Sequence, residues 1–213
     1  MIFTIMILKK CSTGKAFIPS TKSFAIAEEE LGKWCNYNQD QNLSYILAGG
    51  KFYKIDLTKD EQTVLAKNLE EGQYTVSADG HLIAYQTSGT INTAQEIKVL
   101  NLKTDEENAV AAKSGEAIRP LGFIGSDFVY GYLRQEDVGH TAAGGELFPM
   151  YELEIRNSEN EVMKTYSADQ IYISDVFIEE NMMTLNRVVK SGETYTVTSQ
   201  DYISSNEEKK TKV

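Results

Sequence analysis

The sequence feature that most constrains the fold is a unit that recurs about every 45 residues. Its clearest copy, residues 74–102, has a short strand, a Ser-Ala-Asp-Gly turn, the apolar run Leu-Ile-Ala-Tyr and a closing strand that ends in Leu-Asn-Leu. The strand end at 55–57 matches that at 100–102, and the apolar run at 83–85 matches that at 128–130, in both cases 45 residues later. Short strands repeating at this interval predict β-units that bury their apolar faces against one another.

Two weaker copies extend the repeat. Residues 151–155 alternate as a third closing strand, and residues 171–203 contain further strand-like runs. About four short strands per unit are typical of a β-propeller blade. The sequence therefore predicts an all-β fold: one propeller domain over 1–213 with about four four-stranded, partly incomplete blades, as a fragment of a larger propeller. The expected repeats are 24–70, 71–117, 118–169 and 170–205, followed by a tail or linker at 206–213.

The turn residues agree with this prediction. Asp79-Gly80 supplies the positive φ that a tight turn between strands requires. Gly49-Gly50 joins two β-rich runs, which is a strong hairpin signal. The apolar run at 82–85 lacks alternation, so we expect an inner strand that is covered on both faces.

The N-terminal third of the chain is harder to interpret. Residues 1–10 contain too few apolar positions to cross a membrane. Their two lysines follow the apolar run, whereas a signal peptide has its basic residues before it. The segment is therefore predicted to form the first strand. Residues 24–35 are the best helix candidate, although a strand remains possible. Cys11 and Cys35 could form one disulfide in an oxidising compartment, or could be two small buried hydrophobic residues.

The charge of the chain limits its partners. A net charge of −10 and a pI near 4.8 argue against binding to a nucleic-acid backbone, which needs a basic face. An anionic membrane surface would also repel the chain. We therefore expect a protein partner or an adjacent domain, with no nucleic acid and no membrane span.

Residues 77–85 and 97–106 resemble the TolB-type propeller repeat, in which a Ser-Pro-Asp-Gly turn precedes an apolar-Ala-aromatic strand and an apolar strand closes in Asp-Leu-x-Thr-Gly-Glu. The chain departs from that pattern at Ala78, Asn101 and Asp105, where the family usually has Pro, Asp and Gly. The resemblance implies a β-propeller.

Residues 124–138 and 146–155 are similar to the propeller portion of larger surface proteins of anaerobic Gram-positive bacteria. This second resemblance implies an extracytoplasmic or cell-surface location. A cytoplasmic location remains open, because no residue in the sequence decides between the two.

The longest insertion in the repeat, residues 134–150, carries the candidate site. It places Arg134, Glu136, Asp137 and His140 between two strands of one unit. Insertions of this length often bind ligands or partners. Glu136, Asp137 and His140 are conceivable metal ligands. The alternative interpretation is a flexible hairpin with solvated charges.

The other polar and aromatic residues that could belong to a catalytic or binding site are expected to have structural roles. We expect His81 to cap a hairpin and Trp34 to pack in the core. Glu106 and Glu107, like the glutamates at 28–30, are expected on solvated faces.

The chain contains no GxSxG, phosphate-loop or HExxH motif, and no cofactor is expected. The favoured function is therefore a non-enzymatic scaffold or binding module of a bacterial extracytoplasmic protein. Two alternatives remain: the gating propeller of a larger hydrolase, such as a prolyl-oligopeptidase-like peptidase, and a carbohydrate-active propeller.

Overall fold

The structure, a computed structural model, describes residues 2–9, 12–19 and 34–205, with side chains described in the last range. Strands β1 (Ile2–Lys9) and β2 (Ser12–Pro19) form an antiparallel hairpin, which confirms the predicted first strand. The helix candidate lies outside the described residues over 24–33, and its last residue, Cys35, begins a strand.

The chain divides into two compact units. The first, residues 1–70 with 101–106, contains one four-stranded antiparallel sheet in which each strand pairs with the next along the chain. Its strands are β3 (Cys35–Asn38), β4 (Leu43–Ala48), β5 (Lys51–Asp56) and β6 (Glu61–Ala66). Gly49 and Gly50, both with positive φ, make the turn between β4 and β5, so the predicted hairpin is confirmed.

The first unit has apolar residues on both faces of its sheet. Ile46, Tyr53 and Ile55 form a buried cluster on one face. Phe52 is fully buried, and the ring centroid of Trp34 lies 5.8 Å from that of Phe52. Trp34 itself is half-buried, so it packs against the core and is not enclosed in it as predicted. Cys35 is exposed, so the expectation of a buried hydrophobic residue is wrong at this position. Cys11 lies outside the described residues.

The second unit begins with another sequential four-stranded sheet. Its strands are β7 (Tyr74–Val76), β8 (Leu82–Gln86), β9 (Glu96–Asn101) and β10 (Glu107–Ala111). The remaining ten strands are hydrogen-bonded into one sheet, whose two parts join through the pair Met150 and Ile173. Its first part, named the third sheet here, follows the same order but contains the long insertion between its second and third strands. Its strands are β11 (Glu116–Ile124), β12 (Asp127–Arg134), β15 (Met150–Arg156) and β16 (Val162–Ser167), with β13 (Gly139–Thr141) and β14 (Glu146–Leu147) in the insertion.

The fourth copy departs from the simple meander. It contains β17 (Ile171–Glu179), β18 (Met182–Ser191), β19 (Thr194–Val197) and β20 (Asp201–Ser204). β19 and β20 share one edge of β18, because the ten residues of β18 are long enough to pair with β20 at 182–185 and with β19 at 188–191. This second part of the ten-stranded sheet, named the fourth sheet here, is therefore three strands wide where the insertion does not extend it.

The core of the second unit lies between successive sheets. Phe128 and Tyr130 of β12 belong to a cluster with Ala84 and Ile97 of the preceding sheet. Val129, on the opposite face of β12, belongs to a second cluster shared with the fourth sheet. Burial on both faces of β12 agrees with the prediction for inner strands.

The resulting fold is all-β and of the β-propeller type, because antiparallel meanders follow one another along the chain, in two four-stranded sheets and one ten-stranded sheet, and their faces carry the core of the second unit. No α-helix occurs in the described part of the chain. Among those residues no helix has the length and apolar character needed to cross a bilayer.

Candidate functional site

The insertion that follows β12 has secondary structure of its own. A short 3-10 helix (Gln135–Asp137) leads into the two-stranded hairpin of β13 and β14. β13 also pairs in parallel with β19, with His140 opposite Thr194. Gly139 permits this approach, because a Cβ atom there would lie 2.5 Å from the backbone oxygen of Glu193. The insertion therefore extends the fourth sheet.

Asp137 fixes the start of the insertion. It is buried, its Oδ1 accepts a hydrogen bond from the Tyr172 hydroxyl at 3.0 Å, and its backbone oxygen accepts one from the Tyr195 hydroxyl at 2.5 Å. The two tyrosine rings meet edge to face at 5.4 Å. Burial raises the pKa of both tyrosines above the ordinary value of 10.0, so the hydroxyls remain donors into the alkaline range. These contacts give Asp137 an anchoring role.

Glu136 and His140 are exposed. Their observed contacts use the backbone: the Glu136 carbonyl accepts from Lys190 Nζ at 3.1 Å, and the His140 N–H donates to the Glu193 carbonyl at 2.8 Å. Within residues 34–205, no group of three acidic, histidine or cysteine side chains is placed to hold a metal ion. The hypothesis that Glu136, Asp137 and His140 bind a metal is therefore not supported by the geometry.

Arg134 is held in a fixed orientation at the end of β12. Its Nε donates to Glu116 Oε1 at 3.0 Å, and its guanidinium carbon lies 3.6 Å from the centroid of the Tyr151 ring. The Tyr151 hydroxyl donates to Glu116 Oε2 at 2.5 Å, so the same carboxylate orients both side chains. The hydrogen bond from Arg134 to Glu116 raises the arginine pKa. The charge of Arg134 is thus permanent, and 40% of its side chain is exposed.

Arg134 lines a cleft of about 140 Å³, here named the Arg134 cleft. This volume is comparable with a cavity of about 150 Å³ that accepts benzene, so the cleft can hold a small chemical group. Polar and apolar side chains both contribute to its wall. The lining residues are Asn92, Thr93, Gln95, Gly115, Glu116, Ala117, Leu133, Arg134, Gln135, Val138 and Phe148.

A second arginine lies behind the wall of the Arg134 cleft. Arg119 Nη2 donates to Asn92 Oδ1, and a longer bond of 3.4 Å reaches the Phe148 carbonyl. Arg119 Nε is buried and makes no hydrogen bond within the described part of the chain. Burial lowers the pKa of Arg119, while the charge of Asp175 acts in the opposite direction. No motif in the sequence points to this arrangement.

Besides Tyr151–Glu116–Arg134, four further sets of a tyrosine, a carboxylate and a cation stabilise the sheets in the described residues, and sequence reasoning missed all of them. In each set the tyrosine hydroxyl donates to the carboxylate, which also pairs with a lysine or arginine. The sets are Tyr45–Asp105–Lys54, Tyr85–Glu107–Lys98, Tyr130–Glu154–Arg156 and Tyr166–Asp201–Arg187. Glu107 is exposed, as predicted, and its carboxylate also makes these contacts with Tyr85 and Lys98. A usable signal existed, since Tyr85 and Tyr130 are equivalent in the repeat.

The remaining residues singled out in the sequence have local roles. The His81 N–H donates to Asp79 Oδ1 at 3.0 Å, which confirms that His81 closes the turn before β8. Glu106 is exposed and its carboxylate accepts from the Thr104 hydroxyl at 2.9 Å. Neither residue lines the Arg134 cleft.

No protein-family model matches the chain, and no curated protein matches it in sequence. Solved structures that align with it include the WD40 domain of SCAP from fission yeast, with a TM-score of 0.35, 9% identity and coverage of 81% of this chain and 44% of that chain. A protein from Lactobacillus plantarum has a TM-score of 0.33, 9% identity and coverage of 79% and 54%. The acylaminoacyl peptidase of Pyrococcus horikoshii has a TM-score of 0.37, 12% identity and coverage of 93% and 32%. The chain thus spans about half or less of each matched chain, and the fold assignment rests on strand order alone.

Proposed function

We propose that the chain is a non-enzymatic β-propeller-type scaffold module that binds a protein partner or an adjacent domain through the surface around the Arg134 cleft. The observation that carries this proposal is the fixed orientation of Arg134 by Glu116 and Tyr151. A guanidinium that is already ordered loses little conformational entropy when a partner binds. Arginine and tyrosine are also the side chains that most often dominate binding energy at protein interfaces.

The ordered insertion supports the same proposal. Asp137 and the parallel pairing of β13 with β19 hold the backbone beside the Arg134 cleft, so binding does not have to order a long loop. The acidic charge of the chain favours a partner whose contact surface is neutral or basic. The resemblance of residues 77–106 to the TolB-type repeat, and of residues 124–155 to bacterial surface proteins, supports an extracytoplasmic site of action.

The test compares partner capture by the wild-type chain with capture by two variants. Arg134→Ala removes the oriented guanidinium, and Lys164→Ala removes an exposed cation on β16, away from the cleft lining. Immobilised chains are incubated with the surface and secreted proteins of an anaerobic Gram-positive bacterium. We expect one protein to be retained by the wild type and by Lys164→Ala, with at least a tenfold loss for Arg134→Ala, a change of about 1.4 kcal/mol.

A parallel assay separates binding from catalysis. The same preparations are incubated with peptide and glycoside substrates, and no turnover above that of a heat-unfolded sample is expected. Turnover that persists through purification would replace the scaffold proposal with one of the hydrolytic alternatives. Equal capture by Arg134→Ala and Lys164→Ala would instead show that the Arg134 cleft is not the binding surface.

A further inference from the structure

We infer that the Arg134 cleft binds a carboxylate group carried on a short apolar chain; this inference rests on the proposed function and names the chemistry that the surface recognises. Three observations lead to it: an arginine without a carboxylate within 4.0 Å, a polarised amide that lines the cleft, and a wall that is partly apolar. Each of them concerns residues of the second unit.

The first observation is the charge of Arg119. The sequence contains four arginines, and Arg134, Arg156 and Arg187 each pair with a carboxylate within 4.0 Å. Arg119 makes no such ion pair with any described residue, although its Nε is buried. Arg119 is half-buried, and the charge of Asp175 acts on it only from beyond 4.0 Å, so an anionic ligand nearby would stabilise the folded chain further.

The second observation is the orientation of the Asn92 amide. A guanidinium only donates hydrogen bonds, so the atom that Arg119 Nη2 contacts must be the amide oxygen of Asn92. The amide nitrogen of Asn92 then remains as the donor, and it makes no hydrogen bond to any described residue. Asn92 lines the cleft. Because a bonded cation polarises the amide, this nitrogen is a stronger donor for a carboxylate oxygen than an isolated amide would be.

The third observation is the composition of the wall. Arg134 is paired with Glu116, so Arg119, which has no carboxylate within 4.0 Å among the described residues, adds positive charge behind the wall of the cleft. One positive charge matches a carboxylate better than a doubly charged phosphate. The side chains of Leu133, Val138 and Phe148 give the wall an apolar part that suits a short alkyl group. A ligand with a carboxylate at one end and an apolar group beside it satisfies both parts.

Two sources could supply this chemistry: the C-terminal carboxylate of a peptide and a free short-chain carboxylic acid. The ¹⁵N-labelled chain is titrated with N-acetyl-Ala-Val, with the same dipeptide amidated at its C-terminus, and with butyrate, each up to ~10 mM, about ten times a millimolar dissociation constant. Amide shifts of Thr93, Gly115 and Gln135 report on the cleft. We expect the acid dipeptide to shift these signals and the amidated dipeptide to bind at least tenfold more weakly.

The arms of the titration distinguish the sources. Binding of both acids with similar affinity assigns the site to small carboxylates, and tighter binding of the dipeptide acid assigns it to peptide C-termini. Equal binding of the acid and amidated dipeptides would overturn the inference, as would the absence of cleft shifts with every probe.

Single-residue variants provide a second test of the same inference. Arg134→Gln and Asn92→Ala should each weaken binding of the acid dipeptide about tenfold, and Lys164→Gln should bind like the wild type. Unchanged affinity in both cleft variants would overturn the inference. If the chain captures a protein partner through Arg134 while no carboxylate binds, the inference fails and the proposed function stands. If neither experiment shows binding, both fail.

Discussion

The hydroxyl of Tyr130 donates a hydrogen bond to the carboxylate of Glu154, and both side chains are buried. Arg156 completes the set, with Nε donating to the Tyr130 oxygen at 2.8 Å and Nη2 donating to Glu154 Oε2 at 3.2 Å. Tyr130 and Glu154 are paired residues of β12 and β15 and therefore lie on the same face of the sheet. The carboxylate thus sits beside a core cluster and depends on Arg156 for its countercharge.

This dependence predicts a large effect of Arg156→Met. The substitution leaves Glu154 as a buried anion without a cation, and we expect the free energy of unfolding to fall by about 3 kcal/mol. Urea unfolding followed by tyrosine and tryptophan fluorescence measures the change. The double variant Glu154→Leu/Arg156→Met removes both charges and should recover at least half of the loss.

Arg119→Met provides the comparison for that prediction. Because Arg119 has no carboxylate within 4.0 Å among the described residues, its removal leaves no buried anion, and we expect a change of less than about 1 kcal/mol. A loss as large as that of Arg156→Met would contradict the distinction between the two arginines.

Stability at high pH should depend on the buried tyrosines. Burial, followed by hydrogen bonding to a carboxylate, raises the pKa of Tyr45, Tyr85 and Tyr130 above the ordinary value of 10.0. The unfolded chain therefore loses these phenol protons near pH 10 while the folded chain retains them. Stability is fully present below about pH 10 and falls above it, by about 1.4 kcal/mol per pH unit for each tyrosine that stays protonated.

Urea midpoints measured from neutral pH to above pH 10 test this dependence. Tyr130→Phe should reduce the steepness of the decline, whereas Tyr202→Phe, which changes an exposed ring, should leave it unchanged. A loss of stability that begins at a pH well below the ordinary tyrosine pKa would contradict the assignment of this pH dependence to the buried tyrosines.

The repeat predicted much of the fold because its signals are local. The Gly49-Gly50 hairpin, the turn closed by Asp79 and the double burial of the run at 82–85 each depend on a few neighbouring residues. The position of the insertion between two strands of one sheet also followed from the interval between copies.

The contacts that sequence reasoning missed join residues far apart in the chain. The parallel pairing of His140 with Thr194 depends on where an insertion docks, and no local pattern specifies that. The bond between Arg119 and Asn92 likewise joins β11 to the loop between β8 and β9. Of the four predicted site residues, only Arg134 lines the cleft. Asp137 is buried in the packed interior of its unit, and Glu136 and His140 are exposed.

Gly139 should be essential for docking the insertion. An added Cβ would lie 2.5 Å from the Glu193 carbonyl and 2.8 Å from the Tyr195 ring, so Gly139→Ala must separate β13 from β19. We expect a loss of about 1–3 kcal/mol and faster amide hydrogen exchange over 139–147. Gly145→Ala is the matched control, because its Cβ would lie no closer than 3.4 Å to any neighbour, and exchange should stay at the wild-type rate.

Two aspartates in equivalent turns of the first unit allow the effect of the left-handed backbone on stability to be distinguished from the effect of the charge. Asp60 and Asp105 both have left-handed backbones, with φ of 59° and 63°. Only Asp105 accepts a hydrogen bond from Tyr45, at 2.8 Å, and pairs with Lys54. Asparagine tolerates the left-handed conformation, so the substitution of either aspartate by asparagine removes the charge without straining the turn.

We therefore expect Asp105→Asn to lower the free energy of unfolding by about 1–2 kcal/mol, because the buried Tyr45 hydroxyl and the Lys54 ammonium lose their anionic partner. Asp60→Asn should change it by less than about 0.5 kcal/mol, since Asp60 is exposed. Urea unfolding of both variants at neutral pH gives the comparison. Equal losses would mean that the left-handed backbone, and not the contact with Tyr45 and Lys54, determines the contribution of these aspartates to stability.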